Sequence, residues 1–324
     1  MASELRASVA PVTRRVRAFF GPVNRAAGMA TVWDPAGIAG FDVGAPAVPW
    51  VDLGWCSGFA RRSSTKVVAL TGGAPGVPLA QARTEIEADV SVEFESWGKL
   101  QMALTAGVQQ MNVLRTQAGA VANGSGGAAV EAVPVANGST ATTLNVGEAS
   151  AAGFVVGELV AVDVDYAGQT GFVGSGVSGG YVKSAAAIGV DVDYVRRVTL
   201  NVGRVVAIAD GVLTLGSPLI AGAPAAGMQV SHVAGFCDRE GGSFFQEWSA
   251  LFVLDGEQGD RIVFHYPRLQ AMAGATEKSE GLKTSGLERV RLAGSFRALP
   301  VTDANDGEQI VCFRSYLPGA MRAV

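Results

Sequence analysis

The sequence predicts a mainly β protein: a β-sandwich or partial barrel with one flanking α-helix, an extended N-terminal arm and an inserted small β domain. Three observations carry this expectation. The run from Thr84 to Glu95, TEIEADVSVEFE, alternates apolar and polar residues throughout, which is the period of a strand. Across 324 residues there are 43 glycines and only 7% aromatic residues, a composition of many turns and small side chains rather than of a helical bundle. From about Pro134 to Gly235, short Val-rich runs (TTLNV, GELVAVDVDY, YVRRVTLNVGRVVAIADGVLTL) are separated by glycine turns.

Taken in order, residues 1–49 form a basic arm and an extended segment. Through residue 27 it carries Arg6, Arg14, Arg15, Arg17 and Arg25 against Glu4 alone, although the whole chain has a formal charge of −4. It lacks the apolar core of a secretory signal, and WDPAGIAGFDVGAPAVPW is punctuated by Gly and Pro. Strands follow at Trp50–Arg61 and Thr65–Leu70, then the turn-rich TGGAPGVP and the acidic strand. Ser96 is the expected N-cap of a helix through SWGKLQMALTAG, with Trp97, Leu100 and Leu104, extended by Val108 and Met111, as its apolar stripe. AGAVANGSGG has linker composition. Long strands return at Phe244–Leu254, Asp260–Tyr266, Leu287–Val301 and Glu308–Tyr316. The parent domain is thus discontinuous, 50–130 plus 236–324, with 131–235 inserted.

The acidic strand sets the functional question. Ile86, Ala88, Val90, Val92 and Phe94 fall on one face; Glu85, Glu87, Asp89, Glu93 and Glu95, with Ser91, fall on the other. So many like charges repel unless a basic strand lies beside them, and Arg289, Arg291 and Arg297 alternate with apolar residues near the C-terminus. The other reading is a wall past which a second polyanion slides without sticking.

Sites for chemistry are sparse. The two histidines, His232 and His265, fall in no HExxH, GxSxG or Cys/His motif, and Cys56, Cys237 and Cys312 are widely spaced, as buried thiols of a reducing cytoplasm are. TGGAPG lacks the GK[ST] ending of a phosphate loop, and the repeated Asp-Val-Asp-Tyr at 163–166 and 191–194 lacks the order of a calcium loop. The expectation is a non-enzyme with no catalytic, cofactor-binding or metal residues. No run is apolar and long enough to span a bilayer. A metal-dependent hydrolase would need more histidine than this; a carbohydrate- or host-surface-binding β module would rest on Tyr166, Tyr181 and Tyr194 in the insert.

GWCSGFARRSSTKVVAL, TEIEADVSVEFESWGKLQMALTAGVQQMNVL, SFFQEWSALFVLDGEQGDRIVFHYPRLQ and SFRALPVTDANDGEQIVCFRSYLP, in that order, resemble the tail tube (major tail) proteins of tailed bacteriophages. The resemblance covers most of the chain outside 1–45 and 130–235. It implies a tail-tube-like β-sandwich arranged in stacked sixfold rings, assembled in the host bacterial cytoplasm into the virion tail. Its implied partners are copies of itself, a tape-measure protein and tail terminator and tip proteins, with DNA in non-specific transit. On that likeness Glu85, Glu87, Asp89, Glu93 and Glu95 would face the lumen, Arg14, Arg15 and Arg17 would bridge rings, and the insert would decorate the outside.

Overall fold

In the computed structural model the described residues are 13–24, 29–35, 42, 50–107, 109–119, 130–163, 201–219, 222–239, 247–256, 259–272, 276–281 and 288–318. Along the chain, β1 (Thr13–Asn24), β2 (Met29–Ala30), β3 (Val51–Gly72) and β4 (Val77–Phe94) precede α1 (Lys99–Ala106). Next come β5 (Gln109–Leu114), β6 (Val133–Pro134), β7 (Thr143–Asn145), the single turn α2 (Glu148–Ala151), β8 (Leu159–Asp163), β9 (Val202–Ala209), β10 (Val212–Leu215) and β11 (Gln229–Arg239). The C-terminal part holds β12 (Glu247–Gly256), β13 (Arg261–Ala271), β14 (Thr276–Gly281), β15 (Glu288–Ala298), β16 (Val301–Thr302), β17 (Gln309–Ile310) and β18 (Phe313–Leu317).

The main sheet runs β14-β15-β4-β3-β1-β12-β13-β18, and a further contact of β13 with β15 closes it. Leu269, Gln270 and Ala271 pair with Ala298, Arg297 and Phe296, so β15, β4, β3, β1, β12 and β13 form an antiparallel barrel with β14 and β18 alongside. Alternation fills its interior: Val16, Ala18 and Phe20 from β1, Val90, Val92 and Phe94 from β4, and Trp248, Ala250 and Phe252 from β12 share one core with Tyr266 and Phe296. The opposite residues of the same strands, Phe19, Leu251, Val253 and Val263, pack outside under Trp50 and Trp33. β12 is therefore buried on both faces, which explains the nearly unbroken apolar run WSALFVL.

The expected basic arm is, from Thr13 to Asn24, a central barrel strand between β3 and β12. Alternation within RRVRAFFG sends Val16, Ala18 and Phe20 inward and Arg15 and Arg17 outward, and the backbone of Arg14, Arg15 and Arg17 belongs to a barrel strand, not to a projecting arm. α1 begins at Lys99, later than the expected Ser96, and supplies Leu100 and Leu104 to the core. Trp97, placed in its stripe by sequence, is instead 53% exposed and lies against Phe236. Gly107, at φ 68°, takes the left-handed conformation that ends helices. Val108 lies outside the described residues, and Met111 is in β5.

The second sheet runs β5-β11-β8-β9-β10-β7, with β6 on β11. It extends past the expected 131–235 boundaries, because β5 and the whole of β11 belong to it. These two strands form a stem against which α1 packs, and Lys99 Nζ donates to Asn112 Oδ1 at 2.6 Å in a buried contact. Leu144, Phe154, Val160, Val162, Val205, Leu213 and Val230 make its separate core. The β9–β10 turn places Asp210 and Gly211 at φ 48° and 76°, the left-handed pair that a two-residue hairpin needs.

Phe252 sits at the barrel centre, edge-on to Phe20 and Tyr266 and beside Phe59. Phe252→Ala is expected to cost about 3–5 kcal/mol, read from the urea midpoint at unchanged slope.

Candidate functional site

β3 and β4 continue far beyond the barrel. β1 accompanies β3 only through Cys56, and β15 accompanies β4 only from Asp89 onward. Past these points, among the described residues, the two strands pair solely with each other out to Gly72 and Val77. From Arg62 to Gly72 this ribbon reaches roughly 35 Å at the usual strand rise. Gly58, at φ 60°, sits in the register shift between Ser57 and Ala60 where the ribbon departs.

Directly opposed residues share a face. Near the barrel the outward face is charged: Arg62 opposes Asp89, Ser64 opposes Glu87 and Lys66 opposes Glu85. Beyond the shift at Val67 the same face becomes apolar, with Val68 opposite Ala82 and Leu70 opposite Ala80. Val68, Leu70 and Leu79 are 57%, 66% and 67% exposed, and Val67, Val77 and Ile86 are exposed as well. The apolar back expected along the whole acidic strand therefore holds only from Ala88 to Phe94; Ile86 lies on the ribbon, past the core that would cover it.

The acidic residues are interleaved with cations. Arg297 Nε donates to Asp89 Oδ1 at 3.0 Å, and Arg291 Nη1 to Glu93 Oε2 at 3.1 Å. Lys66 Nζ donates to Glu85 Oε2 at 2.5 Å, a contact that raises the ammonium's pKa, with Glu87 adding to the effect. The guanidinium of Arg297 is likewise held more firmly protonated, first by its bond to Asp89. Glu85, Glu87, Asp89 and Glu93 thus share their surface with Arg62, Lys66, Arg291 and Arg297, a mixed-charge ladder across β3, β4 and β15. Glu95 lies just past β4, its backbone N donating to Trp55 O at 3.0 Å. Arg289 opposes Glu280 of β14, its side chain outside the described residues.

Of the arginines assigned to an arm, Arg17 forms a two-pronged ion pair with Asp52 and lies 5.4 Å over the Trp55 ring. Arg15 is exposed and 6.0 Å from the same ring; the side chain of Arg14 is outside the described residues.

Ser249 Oγ and His265 Nε2 lie 3.2 Å apart, but both are buried, and Trp50 and Phe313 flank the imidazole. Burial pushes the Cys56 thiol up to about 12, and it also raises that of Cys312. The side chain of Cys237 is outside the described residues, as are Tyr166, Tyr181, Tyr194 and the second Asp-Val-Asp-Tyr. Among the described residues no group of three or more His, Cys, Asp or Glu is arranged to hold a metal, and no helix is long and apolar enough to cross a membrane.

Sequence reasoning missed two features. The apolar ribbon tip was visible only as two strands around a glycine turn, since protrusion depends on where β1 and β15 stop. The contact of His232 with Glu158 joins residues 74 apart and left no local signal. No protein-family model matches the chain, and no curated protein matches it.

Burial lowers His265 to about 4, so the folded chain refuses a proton that the unfolded chain accepts below the ordinary value near 6.5. The His265 contribution to stability is complete above about pH 6.5 and declines by about 3 kcal/mol as pH falls to 4. Urea unfolding from pH 8 to 4.5 is expected to show this decline, and His265→Gln to flatten it.

Proposed function

We propose that the chain is a structural virion protein that self-assembles into stacked rings, hexameric by its likeness to tail tube proteins, which build a conduit for the viral genome. The observation that carries the self-assembly is the ribbon. An isolated two-stranded hairpin is at best marginally stable in water, and among the described residues nothing pairs with either edge of this one, while six of its large apolar side chains are exposed. A neighbouring copy supplies what is missing: strand edges for the unpaired backbone groups and apolar surface for Val68, Leu70 and Leu79. A repeated contact of this kind between different surfaces closes into a ring or continues as a stack.

The conduit rests on the sequence resemblance together with the charge ladder. A face that alternates acids and bases offers phosphates no continuous basic track, so it does not gain the counterion release that binds DNA to basic grooves. Glu87 and Glu93 of this face oppose serines, Ser64 and Ser57, and Glu93 is bonded to Arg291 of β15.

Purified protein at high concentration is expected to form rings or hollow tubes of uniform width in negative-stain micrographs. Val68→Asp with Leu70→Asp should abolish them while leaving the circular dichroism and melting of the subunit unchanged. Dispersed monomers from the unaltered chain would overturn the assembly reading. Glu87→Lys should preserve tubes and slow genome ejection; unchanged ejection from intact tubes would remove this face from the lumen.

A further inference from the structure

Where the insert meets the β5–β11 stem, one carboxylate joins three separate segments. Glu158, just ahead of β8, has a side chain only 6% exposed. Its Oε1 accepts from His232 Nδ1 at 2.7 Å and from Arg115 Nη1 at 2.8 Å, and its Oε2 accepts from Val155 N at 3.2 Å. His232 lies within β11, as buried as Glu158, with its ring stacked on Phe154 at 4.1 Å. Arg115 directly follows β5; its backbone N donates to His232 O at 3.0 Å and its Nη2 reaches Gly153 O at 3.5 Å. The loop between α2 and β8, the end of β5 and the middle of β11 therefore share a single ionic centre.

We propose that Glu158, His232 and Arg115 form an acid-sensitive latch, which clamps the α2–β8 loop to the β5–β11 stem near neutral pH and opens in acid. With the imidazole neutral, the centre balances one cation against one anion. A proton on His232 adds a second cation in a site with little water. The nearby charged group on β9 is also a cation: Arg204, whose Nη1 donates to Gly157 O at 2.5 Å. Burial, helped by Arg115, outweighs the pull of Glu158 and lowers the proton affinity of His232. Opening the loop hydrates the ring and restores its ordinary affinity. Below about pH 6.5, each further unit of acidity then favours the open form by up to about tenfold, until the folded imidazole itself titrates. The effect is local because the insert and the barrel have separate cores. It does not depend on the assembly reading.

Hydrogen–deuterium exchange of the full chain at pH 7.5 and 5.0, corrected for intrinsic chemistry, tests the latch. Peptides covering 153–162 and 229–233 are expected to exchange about tenfold faster at the lower pH. In His232→Gln most of that acceleration should vanish, while peptides covering 248–254 respond to acid as in the parent chain. No acceleration in the parent, or equal acceleration in parent and variant, would overturn the proposal. If the variant is unfolded at pH 7.5 by circular dichroism, the parent decides alone, because two histidines give separable ring-proton resonances. Titration of His232 must then coincide with loss of protection in the insert; titration without that loss refutes the latch.

Discussion

Six strands closing through three residue pairs of β13 and β15 is the constraint on which the rest of the molecule depends. A closed sheet has to fill its interior from alternate residues, and the aromatic side chains of β1, β4, β12, β13 and β15 do so. Closure also fixes which strands have neighbours along their whole length. β1 and β12 sit between partners, whereas among the described residues β3 and β4 gain outside partners only at their barrel ends. The protruding ribbon is the part of a long hairpin for which the closed barrel has no room.

Burial on a second face adds to this frame. Phe19, Leu251, Val253 and Val263 would be an exposed apolar patch if Trp33 and Trp50 did not lie over them. The segment that follows β1 thus covers the strand pair that β1 helps to form. Buried Phe and Leu side chains are each worth about 1.5–3 kcal/mol relative to exposure. Residue for residue, the cover therefore contributes on the same scale as the interior.

Much of the barrel was legible because alternation is a local property. Ala88, Val90, Val92 and Phe94 face inward as the sequence pattern requires, and Leu100 and Leu104 reach the core from their helical spacing. The pattern gave no warning that RRVRAFFG is a central strand, since its arginines suggest an exposed arm until Arg17 is set beside Asp52 and Trp55. It could not fix where burial stops along β4 either: Ile86 and Ala88 occupy the same face, and only the end of β15 separates an exposed residue from a core one. The candidate site was legible as charge, through the acids of β4 and the arginines of β15, and illegible as apolar surface. Exposure of Val68 or Leu79 is a property of what fails to pack on them.

β1 also sets an order of events during synthesis. Its pairing with β3 needs residues 51–56, but its other edge waits for β12, roughly 230 residues further along the chain. At ~5–20 residues per second that wait is on the order of ten to fifty seconds. The insert sheet ends at Arg239, before β12 begins, so all its strands have been made while the barrel is still open. A nascent chain therefore carries a complete insert beside an unclosed sheet whose β1 edge is a ready template for another chain, and crowding of polysomes acts on that interval rather than on the finished fold.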